Sequence, residues 1–503
     1  MIECFLMDGG IAMAGGSCAH NKSLEADAWA LANFGGATLG NQSRSRRLVA
    51  LAQVMVENPG MSLPKLLPDW SDLTGAYRLL SNPKVEARGI LSPHVALTKR
   101  EACMHPVVLC VQDSTYLDFT LRTGIKGLGI TGDGKGRGLL QHSALAVLPD
   151  KHGGGRVLGV LDIAWHALLA APQGETRLES QSRWSVPFVW HEAAEHIGQW
   201  DANSQLIHVG DRHSDLFRFM HEALKLGHGF VVRAMHDRYV DKTADETSDP
   251  PPETLERLWE KLERQGVLGQ MTVELGTQRD KGNRVKRAGR EAVLTIRVSP
   301  IVVAPPCKDP RTKDARPLSV YAVYLLEESP PEGTEAVAWM LITSLPVVTL
   351  EDARRIAGYY TCRWVIEEWH RCLKEGCRIE DSQLDDGDDI RRLSAILSVV
   401  AIRLLRVRDL SVVSPEHDTP QVLATWVPSM FITIVASLAK VEASKLTPRQ
   451  FHLTVAKRGG YLARKNDPRP GWKVLWRGWN DIVQMVRGAE LYREMINNEK
   501  KCV

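Results

Sequence analysis

The 503-residue sequence predicts an α/β fold, a catalytic-type core with a β-strand insertion flanked by N-terminal and C-terminal helical domains. Three observations predict it. Apolar residues recur at three- and four-residue intervals from Leu24 to about Pro106. β-Branched and apolar runs separated by glycine-rich turns follow. Helical periodicity then returns around Tyr359 and holds through a tryptophan-bearing C-terminal region. The chain is longer than a single core usually grows, so two to four structural units are expected. Apolar residues at 44% and charged residues at 24% exclude wholesale disorder.

In chain order, "MIECFLMDGGIAMAGGSCAH" has an acid, no cationic start and no periodicity, which predicts a loose extension over 1–23 rather than a signal peptide. Met7 and Met13 are alternative starts. "ADAWALANFGGATLGN" and "SRSRRLVALAQVMVEN" are helical, with turns at "NPGMSLPKLLP" and "SNPK", giving a helical module over 24–87 with Arg44, Arg46 and Arg47 at a helix start. "PVVLCVQD", "LLQHSALAVLP" and "RVLGVLDIAWHALL" predict three hairpin-connected strands. A helix ("WHEAAEHIGQW"), a short strand ("QLIHVGD"), a helix ("SDLFRFMHEALKLG") and a strand ("GFVVRAM") come next. Three strands followed by alternating α and β is the order of a ribonuclease-H-like domain, assigned here to 88–240 and 336–413. Pro-rich joints and alternating stretches such as "AVLTIRVSPIVV" mark a mostly β insertion over 241–335. Residues 414–503 form a C-terminal helical domain.

A net charge of +3 does not announce a polyanionic partner, but the distribution is uneven. Residues 441–503 carry 13 Lys/Arg against 6 Asp/Glu, and 271–316 carry 11 against 5. Such patches bind phosphates even on a nearly neutral molecule. The run "RDKGNRVKRAGR" has six cations to one acid and reads as a solvated hairpin tip. Nine cysteines, odd in number and irregularly spaced in a large chain, read as reduced thiols of a cytoplasmic protein. No apolar run is long enough to predict a membrane span.

The chemistry gathers in "YYTCRWVIEEWHRCLKEGCRIED", Tyr359 to Asp381. At about 100° per residue, Arg363, Glu367 and Lys374 fall at roughly −60°, −20° and −40° from Tyr360. That is one stripe. Cys362, Val365, Ile366, Trp369 and Leu373 form the opposite, core-facing side. On the helix alone the plain reading is a stripe facing water, yet an aromatic, a guanidinium, a carboxylate and an ammonium also suit a metal-bound phosphodiester. The spacing of Cys362, His370, Cys372 and Cys377 forms no paired zinc knuckles. Two further acids, Asp113 and Asp211, end the apolar runs "VVLCVQD" and "QLIHVGD", so both are expected at the C-terminal ends of strands of one sheet. Each alone could be a turn or capping aspartate. With Glu367 they make a carboxylate triad suited to two Mg²⁺ ions and in-line phosphoryl transfer. "GITGDGKG" from Gly129 misses the phosphate-loop pattern at Gly136 and reads as a hairpin turn.

Tyr360-x2-Arg363-x3-Glu367-x6-Lys374 resembles the Y-R-E-K signature of the insertion-sequence-four family of DDE transposases. The resemblance extends over "WALANFGGATLGNQSRSRRLV", "GAYRLLSNP", "VQDSTYLDF", "GDRHSDL", "FVVR", "AWMLITSLPV", "SAILSVVAIRLL" and "RGGYLARKNDPRPGWKVLWRGW", nearly the whole chain. It implies a cut-and-paste transposase in which Asp113, Asp211 and Glu367 bind two Mg²⁺ ions, with Mn²⁺ as a substitute. It implies further that Tyr360, Arg363, Lys374 and Arg233 grip phosphates and that Trp339 stacks on a flipped base. Arg44, Arg46 and Arg47 would contact transposon-end DNA, although Ser43 stands where the family has arginine. The implied partners are the terminal inverted repeats, target DNA and a second copy of the chain in a synaptic homodimer, with no membrane. Two rival readings are a ribonuclease-H-like nuclease or resolvase that never joins strands, and a non-catalytic DNA-binding relative that inhibits transposition.

Overall fold

The structure is a computed structural model that describes residues 20–499 apart from 133, 151–153, 171, 173, 176–183, 242–254, 277, 280–284, 288, 307–308, 310, 313–314, 410–417, 465–466, 468–469 and 471. The N-terminal extension therefore lies outside the described residues up to position 19, and helix α1 begins at His20. The chain divides into two compact units, one of 33–48 and 59–406, the other of the described residues in 1–32, 49–58 and 407–503.

The helices of the N-terminal third are α1 (His20–Phe34), α2 (Gln42–Glu57), α3 (Leu63–Leu66), α4 (Trp70–Leu80) and α5 (Ala87–Ala102). Asp69 caps α4 by accepting from the amides of Ser71 and Asp72. The strands follow as β1 (Val107–Asp118), β2 (Gly129–Thr131), β3 (Gly136–Pro149) and β4 (Gly155–His166). After α6 (Phe188–Ile197) come β5 (Gln205–Gly210), α7 (Phe217–Lys225), β6 (Gly229–Arg233), β7 (Tyr239–Asp241), β8 (Leu255–Arg257) and α8 (Leu258–Glu263). Strands β9 (Gly269–Leu275), β10 (Gln278–Arg279), β11 (Val285–Arg287), β12 (Arg290–Val303), β13 (Leu318–Leu326) and β14 (Ala338–Thr343) complete the β elements.

Ten strands form one mixed sheet in the order β2-β3-β1-β5-β6-β14-β13-β12-β9, with β4 on β3. β1, β3 and β4 are antiparallel neighbours, as the three apolar runs predicted. β5 then lies parallel to β1, and β6 parallel to β5. β3 is buried continuously from Gly138 to Val147, the pattern of a strand covered on both faces. One cover is α6 and α7, whose Trp190 and Phe219 meet His142 and His208 edge-on. The other face carries Gln141, whose side chain bonds Ser394 of α11 (Gly387–Asp409).

The insertion does not stand apart from this sheet. β14 pairs antiparallel with β6, and β13, β12 and β9 extend the ladder beyond it. Ile301, Val320, Tyr324 and Ile342 consequently share one core with Trp190, Phe219 and Phe230. Of the basic run, Arg279 and Val285–Arg287 lie on the antiparallel strands β10 and β11, and the expected hairpin tip at 280–284 lies outside the described residues. Gly129 to Gly138 is also a hairpin, as "GITGDGKG" suggested.

Arg392 of α11 is buried and donates to the carbonyls of Leu80 and Val85, tying the end of α4 to this unit. The C-terminal unit contains α12 (Pro420–Trp426), α13 (Ser429–Ala439), α14 (Pro448–Arg458) and α15 (Trp472–Glu499). Trp479 stacks on Phe431 at 4.9 Å in its core, beside Phe451 and Ile482. Helices α14 and α15 touch backbone to backbone: a Cβ on Gly478 would sit 1.8 Å from the Val455 carbonyl oxygen, so only glycine fits there.

Candidate active site and nucleic-acid interface

β1 and β5 run parallel in a register that ends at Val111 opposite Val209. Asp113 and Asp211 each lie two residues further on. Side chains two apart share a face, so both carboxylates leave the sheet on the same side of neighbouring chains. The expectation that Asp113 ends its strand is corrected: β1 continues to Asp118 because β3 keeps pairing with it, Asp113 opposite Ser143. The apolar run ends at Asp113, but the ladder does not. Asp211 does leave its strand. It caps the turn Arg212–Ser214 by accepting from the His213 amide at 2.9 Å, and its other oxygen meets His213 Nδ1 at 3.0 Å. Gly210 makes that turn possible, since a Cβ there would lie 2.4 Å from Ser214 Oγ and 2.8 Å from the Trp190 ring.

The electrostatics of Asp113 report what surrounds it. Burial, then the negative charge of Asp211 with a smaller push from Glu367, raise its pKa to about 6, against the Ser114 amide and Arg363. Glu367 is therefore close enough for its charge to act on Asp113, although its own carboxylate is ion-paired with Arg363 at 2.6 Å. Among the described residues no three His, Cys, Asp or Glu side chains converge as a ready metal cage. The donor set is nonetheless all carboxylate oxygen, the chemistry that a hard divalent cation takes, and the mutual repulsion at Asp113 is what a cation would relieve. A carboxyl whose folded pKa lies above its unfolded value weakens the fold once it ionises, so this penalty is present above about pH 6 and is relieved as pH falls toward 4. Added Mg²⁺ or Mn²⁺ is accordingly expected to raise the melting temperature at pH 7.5 and much less at pH 5. An equal shift at both pH values would place the cation elsewhere.

The segment predicted as one helix is three pieces: α9 (Leu350–Thr361), α10 (Trp364–Arg371) and a π turn at Cys372–Gly376. A capping box of Thr349 and Asp352 starts it. The core face is as read from the wheel: Cys362, Val365, Ile366, Trp369 and Leu373 are all buried. Trp369 Nε1 donates to the Ser398 carbonyl at 3.2 Å, and Cys362 Sγ donates to that of Gly154 at 3.1 Å.

The polar stripe is corrected at one position. Tyr360 is only 6% exposed, its ring edge-on to Trp339 at 5.4 Å. The break after Thr361 lets α9 press this ring onto β14. Arg363 sits 5.9 Å from the same ring, and Arg233 donates to the Ala338 carbonyl next to Trp339 at 2.9 Å. Arg233, Trp339, Tyr360, Arg363 and Glu367 therefore form one connected row. Lys374 stands further along β1, on the Tyr116 carbonyl and 3.3 Å from Glu380, which in turn accepts from the Asp118 amide.

At the start of α2, Arg46 and Arg47 are exposed while Arg44 is half-buried and donates to the Leu39 carbonyl at 2.8 Å. Arg46 reaches Gln42 at 2.8 Å, and Arg47 lies over Gly75 of α4 with Asp72 at 3.9 Å. Residues 26–85 match the family model of the transposase DNA-binding domain. The chain carries a transposase-type DNA-binding function, and DNA is its partner. All three arginines fall inside the matched transposase DNA-binding domain, and the acids lie outside it. Among the described residues no helix is long and apolar enough to cross a membrane.

Sequence reasoning missed Asp215, whose buried carboxylate accepts from the amides of Met235 and His236 and pairs with Arg238. That side chain joins the turn after Asp211 to the strand end after Arg233. Its only signal was a second aspartate four residues after the first. It also missed Glu380, and the polar side chains on the far face of β1.

Proposed function

We propose that the chain is a cut-and-paste DDE transposase of the insertion-sequence-four type. The observation that carries the reading is the pair Asp113 and Asp211, each two residues past the last β1–β5 partners Val111 and Val209, with Glu367 within electrostatic reach, in a chain with a transposase DNA-binding domain. The strand order β4-β3-β1-β5-β6, antiparallel for three and then parallel, supports a ribonuclease-H-like core for this site.

Asp113, Asp211 and Glu367 would hold two Mg²⁺ ions, which when bound acidify a water or hydroxyl and neutralise charge at the phosphorus. The chain's own groups do the rest. Arg363, now paired with Glu367, offers its guanidinium to an incoming phosphate. Lys374 and Arg233 add positive charge on either side of it, and the Tyr360 ring braces Trp339. At each transposon end a water oxygen would bond to phosphorus as the bond to a 3′ oxygen breaks, leaving a 3′ hydroxyl. That hydroxyl would attack the opposite strand to close a hairpin; a second water would open it, and the freed 3′ end would attack target DNA. Each step exchanges one P–O bond for another, so one acid cluster serves all. Arg44, Arg46 and Arg47 would engage the terminal repeats, and two copies would pair in the synaptic complex.

Paired transposon ends incubated with Mg²⁺ and target DNA test this directly: joined product is expected, and cleavage without joining would favour a hydrolytic nuclease instead. Trp339→Ala is expected to reduce hairpin closure by roughly tenfold or more, since base–aromatic stacking is worth about 1–3 kcal/mol, while first-strand nicking changes little. Equal loss of both steps on a sequencing gel would make Trp339 a packing partner of Tyr360 only.

A further inference from the structure

The backbone ladder between β1 and β5 stops at Val111 and Val209, two residues short of both acids. Beyond it the two acids follow on chains that the β1–β5 register no longer pairs. Behind Asp113, on the opposite face of the sheet, lies a row of polar side chains that the reaction does not touch. His142 of β3 stands opposite Ser114. Its Nδ1 meets Ser114 Oγ at 2.8 Å, and its Nε2 meets Gln112 Oε1 at 3.0 Å. Gln112 Nε2 continues to His208 Nδ1 at 2.7 Å, and His208 Nε2 to His228 Nδ1 at 2.9 Å. Gln112, His142 and His208 are no more than 1% exposed, and Trp190 and Phe219 seal the two rings edge-on.

The proton positions in this row follow from the amide. Gln112 Nε2 can only donate, so His208 Nδ1 accepts and His208 Nε2 carries the hydrogen. Gln112 Oε1 can only accept, so His142 is the Nε2–H tautomer and the Ser114 hydroxyl donates to Nδ1. Burial holds both imidazoles neutral by lowering their pKa values, which keeps this pattern intact at working pH. One rigid ring thus bonds both chain neighbours of Asp113, residues 112 and 114. The row then runs through His208, three residues before Asp211, to His228 at the head of β6. It spans β3, β1, β5 and β6 at the end of the β1–β5 ladder, with His208 inside that ladder opposite Cys110 and Gln112 one residue past its last pair.

We propose that His142 is a positioning residue: by clamping Gln112 and Ser114 from behind, it fixes the aim of Asp113 relative to Asp211 and so sets the cation affinity of the acid pair. The proposal rests on the functional reading above, because it gives the acids a cation to hold. Groups bonded directly to ligating side chains are worth roughly 10–100-fold in metal affinity, and His142 acts one bond further out through Ser114, whose amide donates to Asp113, so the lower end of that range is expected.

The test uses the full chain bound to end DNA, with Mn²⁺ binding read by electron paramagnetic resonance and folding read by thermal melting. His142→Leu is expected to bind end DNA within about twofold of the unaltered chain and to lose roughly tenfold or more in Mn²⁺ affinity. His142→Gln, whose amide can still donate to Gln112, is expected to recover part of it. Ser114→Ala removes the other end of the clamp with almost no change of volume, and answers the question if His142→Leu fails to fold. Selective ¹⁵N-histidine labelling should show His142 as a single neutral tautomer; a ring averaging between both tautomers would overturn the clamp. Unchanged Mn²⁺ affinity in folded His142→Leu and Ser114→Ala, beside normal binding by the unaltered chain, would overturn it alone. An unaltered chain that binds no Mn²⁺ with end DNA would overturn the functional reading and the clamp together.

Discussion

Glu367→Gln should abolish Mg²⁺-dependent cleavage while leaving the binding of transposon-end DNA intact. The substitution keeps the shape of the side chain and removes one negative charge from the acid cluster. Lewis-acid stabilisation of a phosphoryl transition state is worth several kcal/mol, and each ~1.4 kcal/mol is tenfold in rate, so a loss of at least about 10³-fold is expected. Binding should hold because the matched DNA-binding domain lies at 26–85, far along the chain from Glu367. Losing the 2.6 Å ion pair also leaves Arg363 free to hold a phosphate, so affinity for cleaved ends is expected to rise slightly rather than fall. A gel-shift titration beside a nicking assay measures both quantities. Cleavage by the variant at the unaltered rate would remove Glu367 from the site.

The largest expected effect on stability is at Asp215→Ala. The Asp215 side chain is fully buried, accepts from the amides of Met235 at 2.8 Å and His236 at 3.1 Å, and is ion-paired with Arg238. Truncation leaves a largely buried guanidinium and two amides without their acceptor, and breaking such a pair costs about 3–5 kcal/mol. Denaturant unfolding followed by intrinsic tryptophan fluorescence should show the unit of residues 33–48 and 59–406 losing stability by that amount. Asp215→Asn, which keeps one acceptor oxygen, should lose less. Destabilisation below about 1 kcal/mol for Asp215→Ala would mean that water replaces the carboxylate, as at an exposed pair.

Much of this architecture is legible in the sequence because its signals are local. The runs ending at Asp113 and Asp211 are strands, and the wheel from Tyr360 gives the buried side of α10 correctly at Val365, Ile366 and Trp369. What the sequence conceals depends on pairing between distant segments. Asp113 sits inside β1 because Ser143 of β3 pairs with it, and nothing near Asp113 reveals that partner. The insertion strands join the main sheet because β14 adds to β6, more than a hundred residues earlier. Tyr360 is buried because the helix breaks at Cys362 and Arg363, a break that no proline or glycine announces. His142 and Gln112 read as ordinary members of apolar strands, since a hydrogen bond from one strand to the next leaves no periodic trace.

The parallel register of β1 and β5 has one more consequence. Adjacent strands lie about 4.8 Å apart because peptide hydrogen bonds have one length, so the ladder that ends at Val111 and Val209 sets how far apart the two chains stand as they run on to Asp113 and Asp211, and the row behind Asp113 sets its aim. A site built this way works as a fixed gauge. Loops around it can be lengthened, recharged or exchanged to suit a different DNA end, and the two carboxylates keep the same distance to offer the scissile phosphate.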